Sequence, residues 1–252
     1  MNKVIETMMQ HRTRRSFVKG KELPKEHLEQ IIACSKQGSS WMNGQQYSII
    51  VATGDTKQKI ADLIKDKAPG NAAHIESSAA FLIYCIDFSN IKLSFDIEGG
   101  DFDISNQYEP LLIGSMDVGI AMQNAALAAE SFGYGIVYCG GVRGFAKGIS
   151  ELLNIPENAL FLCGLSIGVI DEEKSTEKVK PRLPHEANVG YNEFPKSNEE
   201  VLKQYRQTMI DFAEARETKT WTKKFADFYA QPSGIEKVTK ELLEKKGFVN
   251  NR

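Results

Sequence analysis

The chain has 252 residues, of which 42% are hydrophobic and 25% are charged, and its formal net charge is −2. These values are ordinary for a folded globular protein and exclude disorder as the main state. Because general binders of nucleic acids or anionic membranes are usually basic, the charge balance disfavours both classes. The length indicates one α/β domain with an appended arm.

The sequence also carries little sign of export. No stretch approaches the roughly 18 apolar residues of a membrane span, and residues 1–15 lack the apolar region of a signal peptide. The four cysteines are far apart and form no CxxC pair, which is typical of reduced thiols and not of a disulfide framework or a zinc site. They are Cys34, Cys85, Cys139 and Cys163. We therefore expect a cytoplasmic protein that binds no nucleic acid, membrane or metal.

Helices and strands alternate in the first half of the chain. The spacing of apolar residues predicts a helix over 1–9, a helix opened by Leu23-Pro24, a strand over 47–52, a helix containing Ile60, Leu63 and Ile64, and a strand over 80–87. Residues 91–107 are rich in acidic residues and contain two adjacent glycines. This segment is predicted to be a long acidic loop.

In the second half, residues 111–132 are apolar on most faces, which predicts a long buried helix. After it we expect strands over 135–139 and 159–170, a helix over 145–153, and a loop over 179–184. From Asn198 onward the chain is charged and is predicted to be helical. Such a segment suits an arm that lies on a partner subunit, and it suits an ordinary surface helix equally well.

Two cationic stretches are suited to binding an anion. His11-Arg12-Thr13-Arg14-Arg15 combines three guanidinium groups with a hydroxyl and an imidazole, and arginine donors match phosphate geometry. Lys180-Pro181-Arg182 lies in a loop that prolines stiffen. Together the two stretches indicate one phosphate group held between distant loops. Each could also be a solvated basic turn.

Two further stretches are suited to a flat ligand. Residues 138–143 (Y-C-G-G-V-R) follow a strand, and the paired glycines let a ligand approach backbone N–H groups closely. Ser39-Ser40, with Asn43 and Gln45, offers short polar side chains. Alone, the first is equally consistent with a plain strand-to-helix turn, and the second more simply with an ordinary loop.

Taken in order, these motifs resemble the nitroreductase superfamily of flavin mononucleotide (FMN) enzymes. The similarity is closest to the oxygen-insensitive nitroreductases and NADPH-dependent flavin reductases with a longer C-terminal arm. It runs over most of the chain, through H-R-T-R-R-S-F, S-S, Y-C-G-G-V-R and K-P-R-L-P. The chain departs from the pattern in having Thr13 where many members have Ser, and Asn71 as the nearest amide where members often have Gln.

The resemblance implies an α+β fold. Its central sheet would be mixed but mostly antiparallel, flanked by helices around a long buried helix. Residues 1–195 would form the FMN-binding core, and residues 196–252 a C-terminal helical arm that packs on the core or on a dimer partner.

The resemblance also implies roles for individual residues. His11, Arg12 and Thr13 would contact the FMN phosphate and ribityl chain, Arg15 the N1/O2 edge of the ring, Lys180 and Arg182 the phosphate, and Gly140 and Gly141 the O4/N5 edge. Asn71 and Tyr138 would complete the cofactor site, and Ser39 and Ser40 would come from the second subunit of a homodimer.

For the 2′-phosphate of NADPH, the arm offers Arg206, Arg216 and Lys219. The resemblance implies a ping-pong mechanism: NADPH, or NADH as the alternative, reduces bound FMN, which then reduces nitroaromatics, quinones, azo compounds or free flavin. Three other functions remain open at this point. They are a flavin reductase that supplies a partner enzyme, a flavin-binding protein without turnover, and an anion-binding module without flavin.

Overall fold

The computed structural model describes residues 2–213 and 217–249. Within these residues there are eleven α-helices and four strands. The helices are α1 (Lys3–Met9), α2 (Lys25–Lys36), α3 (Gly54–Ile64), α4 (Pro69–Ser77), α5 (Ser89–Glu98), α6 (Glu109–Ser131), α7 (Ala146–Leu152), α8 (His185–Asn188), α9 (Glu199–Phe212), α10 (Trp221–Tyr229) and α11 (Gly234–Lys245). Two 3₁₀ helices cover Trp41–Asn43 and Gly140–Phe145.

The strands form one sheet. They are β1 (Tyr47–Ala52), β2 (Ala80–Asp87), β3 (Gly135–Tyr138) and β4 (Ala159–Gly168), in the spatial order β1-β2-β4-β3. Each of these pairings is antiparallel. The central strand β2 is buried along almost its whole length, which is why its sequence is a continuous apolar run. The predicted α+β architecture with a mostly antiparallel sheet is confirmed, although the strand pairings among the described residues are all antiparallel and not mixed.

The long helix α6 packs on this sheet and against α2. Gly114 lets the helix approach β2, because a Cβ at this position would lie 2.4 Å from Cγ2 of Ile86. The helix is buried on one side only: Leu112 and Met116 remain 61% and 53% exposed. By length and hydropathy alone α6 could cross a membrane, contrary to the expectation from the sequence. That is weak evidence, since the core helices of globular proteins pass the same test.

The predicted loop over 91–107 is wrong in its first part. Residues 89–98 form helix α5, and Gly99 ends it in the left-handed conformation with φ of 73°. The glycine pair therefore marks the end of a helix, as glycine commonly does. Phe95 packs edge-on against Phe102 after the helix, with ring centroids 5.5 Å apart. The irregular segment begins only after the helix.

Contacts divide the chain into two units. The first comprises residues 1–176 and 234–252, and the second comprises residues 177–233. Helix α11 belongs to the first unit because it packs on α7 and on the 3₁₀ helix Gly140–Phe145. These bounds differ from the proposed division into a core of residues 1–195 and an arm of residues 196–252, which stays a prediction.

Candidate functional site

The cationic stretch that begins at His11 follows one edge of the sheet. The backbone N–H of Arg14 donates to the carbonyl of Ile136 in β3, 3.0 Å away. Three residues farther on, Phe17 forms an isolated antiparallel bridge with Ile170, just beyond β4. Main-chain hydrogen bonds thus set the path of the stretch, and its side chains are left available for other contacts.

Phe17 anchors this segment to the core. Its side chain is only 5% exposed and lies over two glycines of the sheet. A Cβ at Gly168 would come within 2.8 Å of the Phe17 ring, and a Cβ at Gly135 within 2.8 Å of Cβ of Arg14. Because real side chains do not pack that closely, glycine at both positions permits the close approach.

His11 and Arg12 have different partners. Nδ1 of His11 lies 2.8 Å from Oε1 of Glu130 in the last turn of α6. Arg12 donates to the carbonyl of Gln10 at 2.8 Å. Arg12 and Arg14 line a cavity of about 350 Å³, and neither forms an ion pair within the described residues. Thr13 is half-buried beside them.

Arg15 lies near residues that are distant in sequence. Nδ1 of His74 in α4 donates to the carbonyl of Arg15 at 3.0 Å. Burial raises the pKa of the Cys139 thiol to about 12, and the charge of Arg15 acts in the opposite direction. The charge of Arg15 therefore acts on the residue that follows β3.

Gly140 and Gly141 follow β3 after one residue, Cys139, and begin the second 3₁₀ helix. A Cβ at Gly140 would have its nearest neighbour at 3.6 Å, and one at Gly141 would lie 3.5 Å from Nδ2 of Asn71. Both are ordinary contact distances, so packing within the chain does not require glycine here. Gly164 differs, because its Cβ would lie 2.1 Å from the Phe81 ring. The structure thus brings Asn71 beside the glycine pair.

Tyr138 precedes the glycine pair and is oriented by α6. Its hydroxyl donates to Oε1 of Gln123 at 2.9 Å. Burial, followed by the charge of Glu130, raises the pKa of this phenol. Tyr138 therefore stays protonated at physiological pH and acts as a hydrogen-bond donor.

Ser39 and Ser40 lie in a loop that a buried acid holds in place. Asp117 of α6 is 1% exposed and accepts the N–H of Trp41 at 3.0 Å and of Gln46 at 3.2 Å. The Ser40 hydroxyl accepts the N–H of Gln45 at 3.1 Å. Between these points the backbone has positive φ at Met42, Asn43 and Gln45. Asp117 thus stabilises a turn that non-glycine residues rarely adopt.

In the second unit, Lys180 and Arg182 line a cavity of about 420 Å³. Nζ of Lys180 lies 3.2 Å from Oε1 of Glu217, which also binds Lys224 at 3.0 Å. Burial alone would raise the pKa of Glu217, but hydrogen bonds from these two lysines outweigh it, and the pKa is lowered. Arg182 donates to the carbonyl of Lys180 at 3.1 Å.

The three residues proposed for NADPH are placed differently. Lys219 lines the same cavity and pairs with Asp227 at 2.7 Å. Arg206 is exposed on α9 and is not among the residues that line the cavity. Arg216 lies outside the described residues. Of the two residues that the structure describes, Lys219 lies together with Lys180 and Arg182, and Arg206 does not.

Sequence reasoning missed three carboxylates that order the site residues. Glu130 contacts His11, Asp117 holds the serine loop, and Glu217 pairs with Lys180. One signal was present in the sequence: Asp117 and Glu130 are the acidic residues inside an otherwise apolar predicted helix, and such residues need a partner when they are buried.

Comparison with known proteins identifies the family of the chain. The family described as "Nitroreductase family" matches residues 8–169, and its C-terminal domain matches residues 180–251. The chain belongs to the nitroreductase family. The predicted nitroreductase-like fold is confirmed by a solved structure, NADPH:FMN oxidoreductase from Vibrio harveyi complexed with NAD⁺. It aligns with a TM-score of 0.85 at 33% identity, covering 99% of this chain and 100% of that one.

Two relatives of the chain are similar to it along most of their length. An FMN reductase [NAD(P)H] from Bacillus subtilis (strain 168) is 34% identical, with 98% of each chain covered. A Cr(VI) reductase from Pseudomonas sp. (strain G-1) is 36% identical, with 91% of this chain and 92% of the relative covered.

Proposed function

We propose that this nitroreductase is an FMN-dependent oxidoreductase that takes electrons from NADPH and passes them to small acceptors by a ping-pong mechanism. Its family and the names of its relatives support this activity. The structural observation that carries the proposal is the pair of arginines, Arg12 and Arg14, that line one cavity. Glu6, Glu130 and Glu172 line it too, but neither arginine forms an ion pair among the described residues.

The donor set suits FMN. Arginine side chains without an ion pair retain hydrogen-bond donors for a phosphate group. Arg12 donates one hydrogen bond, to the carbonyl of Gln10, and its other donors remain for a ligand. The lack of side chains at Gly140 and Gly141 is not explained by packing within the chain, and it leaves backbone N–H groups accessible to a flat ring. Bound FMN would supply the hydride and electron-transfer chemistry.

Each site residue has a proposed role in holding the cofactor. His11, Arg12 and Thr13 bind the phosphate and ribityl chain, and Lys180 and Arg182 bind the phosphate. The remaining residues contact the ring: Arg15 at N1/O2, where a cation favours the reduced state, Gly140 and Gly141 at O4/N5, and also Asn71 and Tyr138. Ser39 and Ser40 reach the cofactor of the partner subunit.

The homodimer rests on an exposed apolar surface of the first unit. Trp41 and Met42 are 54% and 87% exposed, and Leu112 and Met116 of α6 are exposed as well. Apolar patches of this kind mark interaction sites. Sedimentation equilibrium tests the dimer, and a monomer at micromolar concentration would contradict it.

A cytoplasmic location is also proposed, since Cys34, Cys85, Cys139 and Cys163 are free thiols.

NADPH is the proposed electron donor. Lys219, Arg206 and Arg216 are the cations proposed for its 2′-phosphate, and Lys219 would have to exchange Asp227 for that group. Replacing Lys219 with Ala should raise KM for NADPH and leave KM for NADH nearly unchanged. Equal changes in KM for NADPH and KM for NADH would mean that Lys219 does not bind the 2′-phosphate. The same comparison applies to Arg206 and Arg216.

Nitroaromatics, quinones and free flavin are the proposed acceptors. Two of the relatives are named as FMN or flavin oxidoreductases, which favours a second function, the supply of reduced flavin to another enzyme. Turnover with free FMN, compared with turnover with a nitroaromatic, separates the two. One relative is named as a Cr(VI) reductase, so chromate should be tested as an acceptor in the same comparison.

The test of the proposed activity begins with an absorption spectrum during anaerobic titration with NADPH. Flavin bands that bleach support the oxidoreductase. Bands that persist with both NADPH and NADH indicate a flavin-binding protein without turnover, and failure to bind added FMN refutes the proposal. Arg12→Ala should weaken FMN binding about 10- to 100-fold by removing a charge-assisted hydrogen bond. Lys3→Ala removes a cation from the same cavity and is the matched control.

A further inference from the structure

Arg143 ends the Y-C-G-G-V-R stretch, and the proposed function gives it no role. Its guanidinium lies beside the glycine pair. A Cβ at Gly140 would have Nη1 of Arg143 as its nearest neighbour, 3.6 Å away. The Arg143 side chain is half-buried and forms no ion pair among the residues that the structure describes. A cation is therefore held next to the residue proposed to meet the O4/N5 edge of the flavin ring.

A hydrogen bond to the sheet holds this cation in place. Nη1 of Arg143 donates to the carbonyl of Leu162 in β4 at 3.1 Å. The pairing of β2 with β4 changes register here, with Phe161 and Cys163 paired and Leu162 skipped. Because a carbonyl carries no net charge, this bond orients the guanidinium without neutralising it.

Two thiols show which charges act on the region of the glycine pair. Burial raises the pKa of the Cys163 thiol, and the charge of Arg143 acts in the opposite direction. At Cys139, which directly precedes Gly140, the charge of Arg15 also opposes the effect of burial. Positive charge from two arginines therefore acts in this region. A ligand that gains negative charge there is stabilised by both.

We propose that Arg143 is a second cation of the flavin site, which stabilises reduced flavin and raises the midpoint potential of bound FMN. The inference rests on the proposed function, since it needs the flavin ring at Gly140 and Gly141. Transfer of a hydride from NADPH to the neutral oxidised ring gives an anionic reduced ring and NADP⁺, so a nearby cation favours the reduced state.

The effect requires no contact between Arg143 and the ring. Two groups that both lie against Gly140 are within about 10 Å of each other, which is the screening length at about 0.1 M salt. Salt therefore weakens the interaction without removing it. Arg15, proposed at the N1/O2 edge, and Arg143 would then act on the same negative charge from different parts of the chain.

The experiment measures the midpoint potential of bound FMN and the dissociation constant for oxidised FMN. Arg143→Gln keeps a side-chain N–H for the Leu162 carbonyl and removes the charge. It should weaken binding of reduced FMN about tenfold more than binding of oxidised FMN, which lowers the midpoint potential by about 30 mV for a two-electron couple. Arg143→Met, a second neutral variant of similar length, should give the same drop.

Two further variants separate charge from structure. Arg143→Lys keeps the charge and should restore more than half of the lost potential. Lys147→Ala removes an exposed cation from α7 and should leave the potential unchanged. If Arg143 only supports β4, its neutral variants weaken oxidised and reduced FMN equally, and the potential does not move.

An unchanged potential in the neutral variants would overturn the inference, and so would an equal drop in Lys147→Ala. The failure of the proposed function looks different, because the original protein would then bind no FMN. A protein that binds FMN at the same potential with and without the Arg143 charge keeps its proposed function and loses only this inference.

Discussion

The two cationic stretches, residues 11–15 and 180–182, are held by different forces. The first is bonded through its main chain to the edge of a buried sheet, and Arg12 has no carboxylate partner among the described residues. In the second, Lys180 pairs with Glu217 on the surface of a smaller unit. A cation held by the backbone is ready for an anion, whereas a paired cation must first give up its partner. We therefore expect the first stretch to contribute more to phosphate affinity.

The largest expected effect is a difference in thiol reactivity between buried cysteines of the sheet region and an exposed cysteine. Burial raises the pKa values of Cys85 and Cys139 to about 12, and Cys34 is exposed. Because thiolates are the reactive form, a shift of this size lowers reactivity about 10³-fold. A thiol reagent at pH 8 should modify Cys34 rapidly. Fast labelling of Cys139 without denaturant would show that the strand end is open.

The second prediction removes the anchor of the first stretch. Phe17→Ala should lower the free energy of unfolding by about 3–5 kcal/mol, because it leaves a cavity over Gly135 and Gly168. Urea denaturation measures this change. Phe194→Ala is the control, since Phe194 is 88% exposed and should change stability by less than about 0.5 kcal/mol. Similar effects from both variants would remove the distinction between anchored and surface segments.

A third prediction concerns the serine loop, which one side chain holds. Asp117→Ala should cost about 2–3 kcal/mol, because the N–H groups of Trp41 and Gln46 lose a charged acceptor. Asp117→Asn keeps one acceptor oxygen and should cost less. Denaturation followed by Trp41 fluorescence in a Trp221→Phe background reports on this loop. A cost for Asp117→Ala no larger than that for Asp117→Asn would contradict the role of both bonds.

The smallest effect is expected in the second unit. Lys224→Ala removes one exposed ion pair with Glu217 and should change stability by about 0.2–1 kcal/mol, less at high salt. Fluorescence of Trp221 in a Trp41→Phe background measures it, because the indole ring packs against Tyr205 and Phe225. Lys203→Ala, which breaks an exposed pair with Glu199, is the control. A loss of more than about 2 kcal/mol in the free energy of unfolding would show that the ion pairs of Glu217 stabilise the protein nearly as much as the buried Phe17 does.

The sequence predicted helices and strands well where the pattern of apolar residues fitted only one kind of element. Strands β1 and β2 have the predicted bounds, 47–52 and 80–87, because each is a short apolar run between polar residues. The helix at 89–98 was missed because its acidic residues and the glycines after it suggested a loop. The candidate binding residues could be proposed from motifs. Their carboxylate partners could not, since the bond between His11 and Glu130 depends on tertiary packing that local sequence does not encode.

The return of the chain to its first unit has a consequence for synthesis on the ribosome. Leu242 and Phe248 are 4% and 1% exposed, and Phe248 meets Phe88 edge-on at 6.2 Å between ring centroids. The nascent chain therefore carries an unfilled apolar surface on residues 1–176 until residues 234–248, which follow the second unit, have been translated. Chaperones would bind that surface during elongation, and a premature stop codon anywhere between residues 177 and 233 would release a product prone to aggregate.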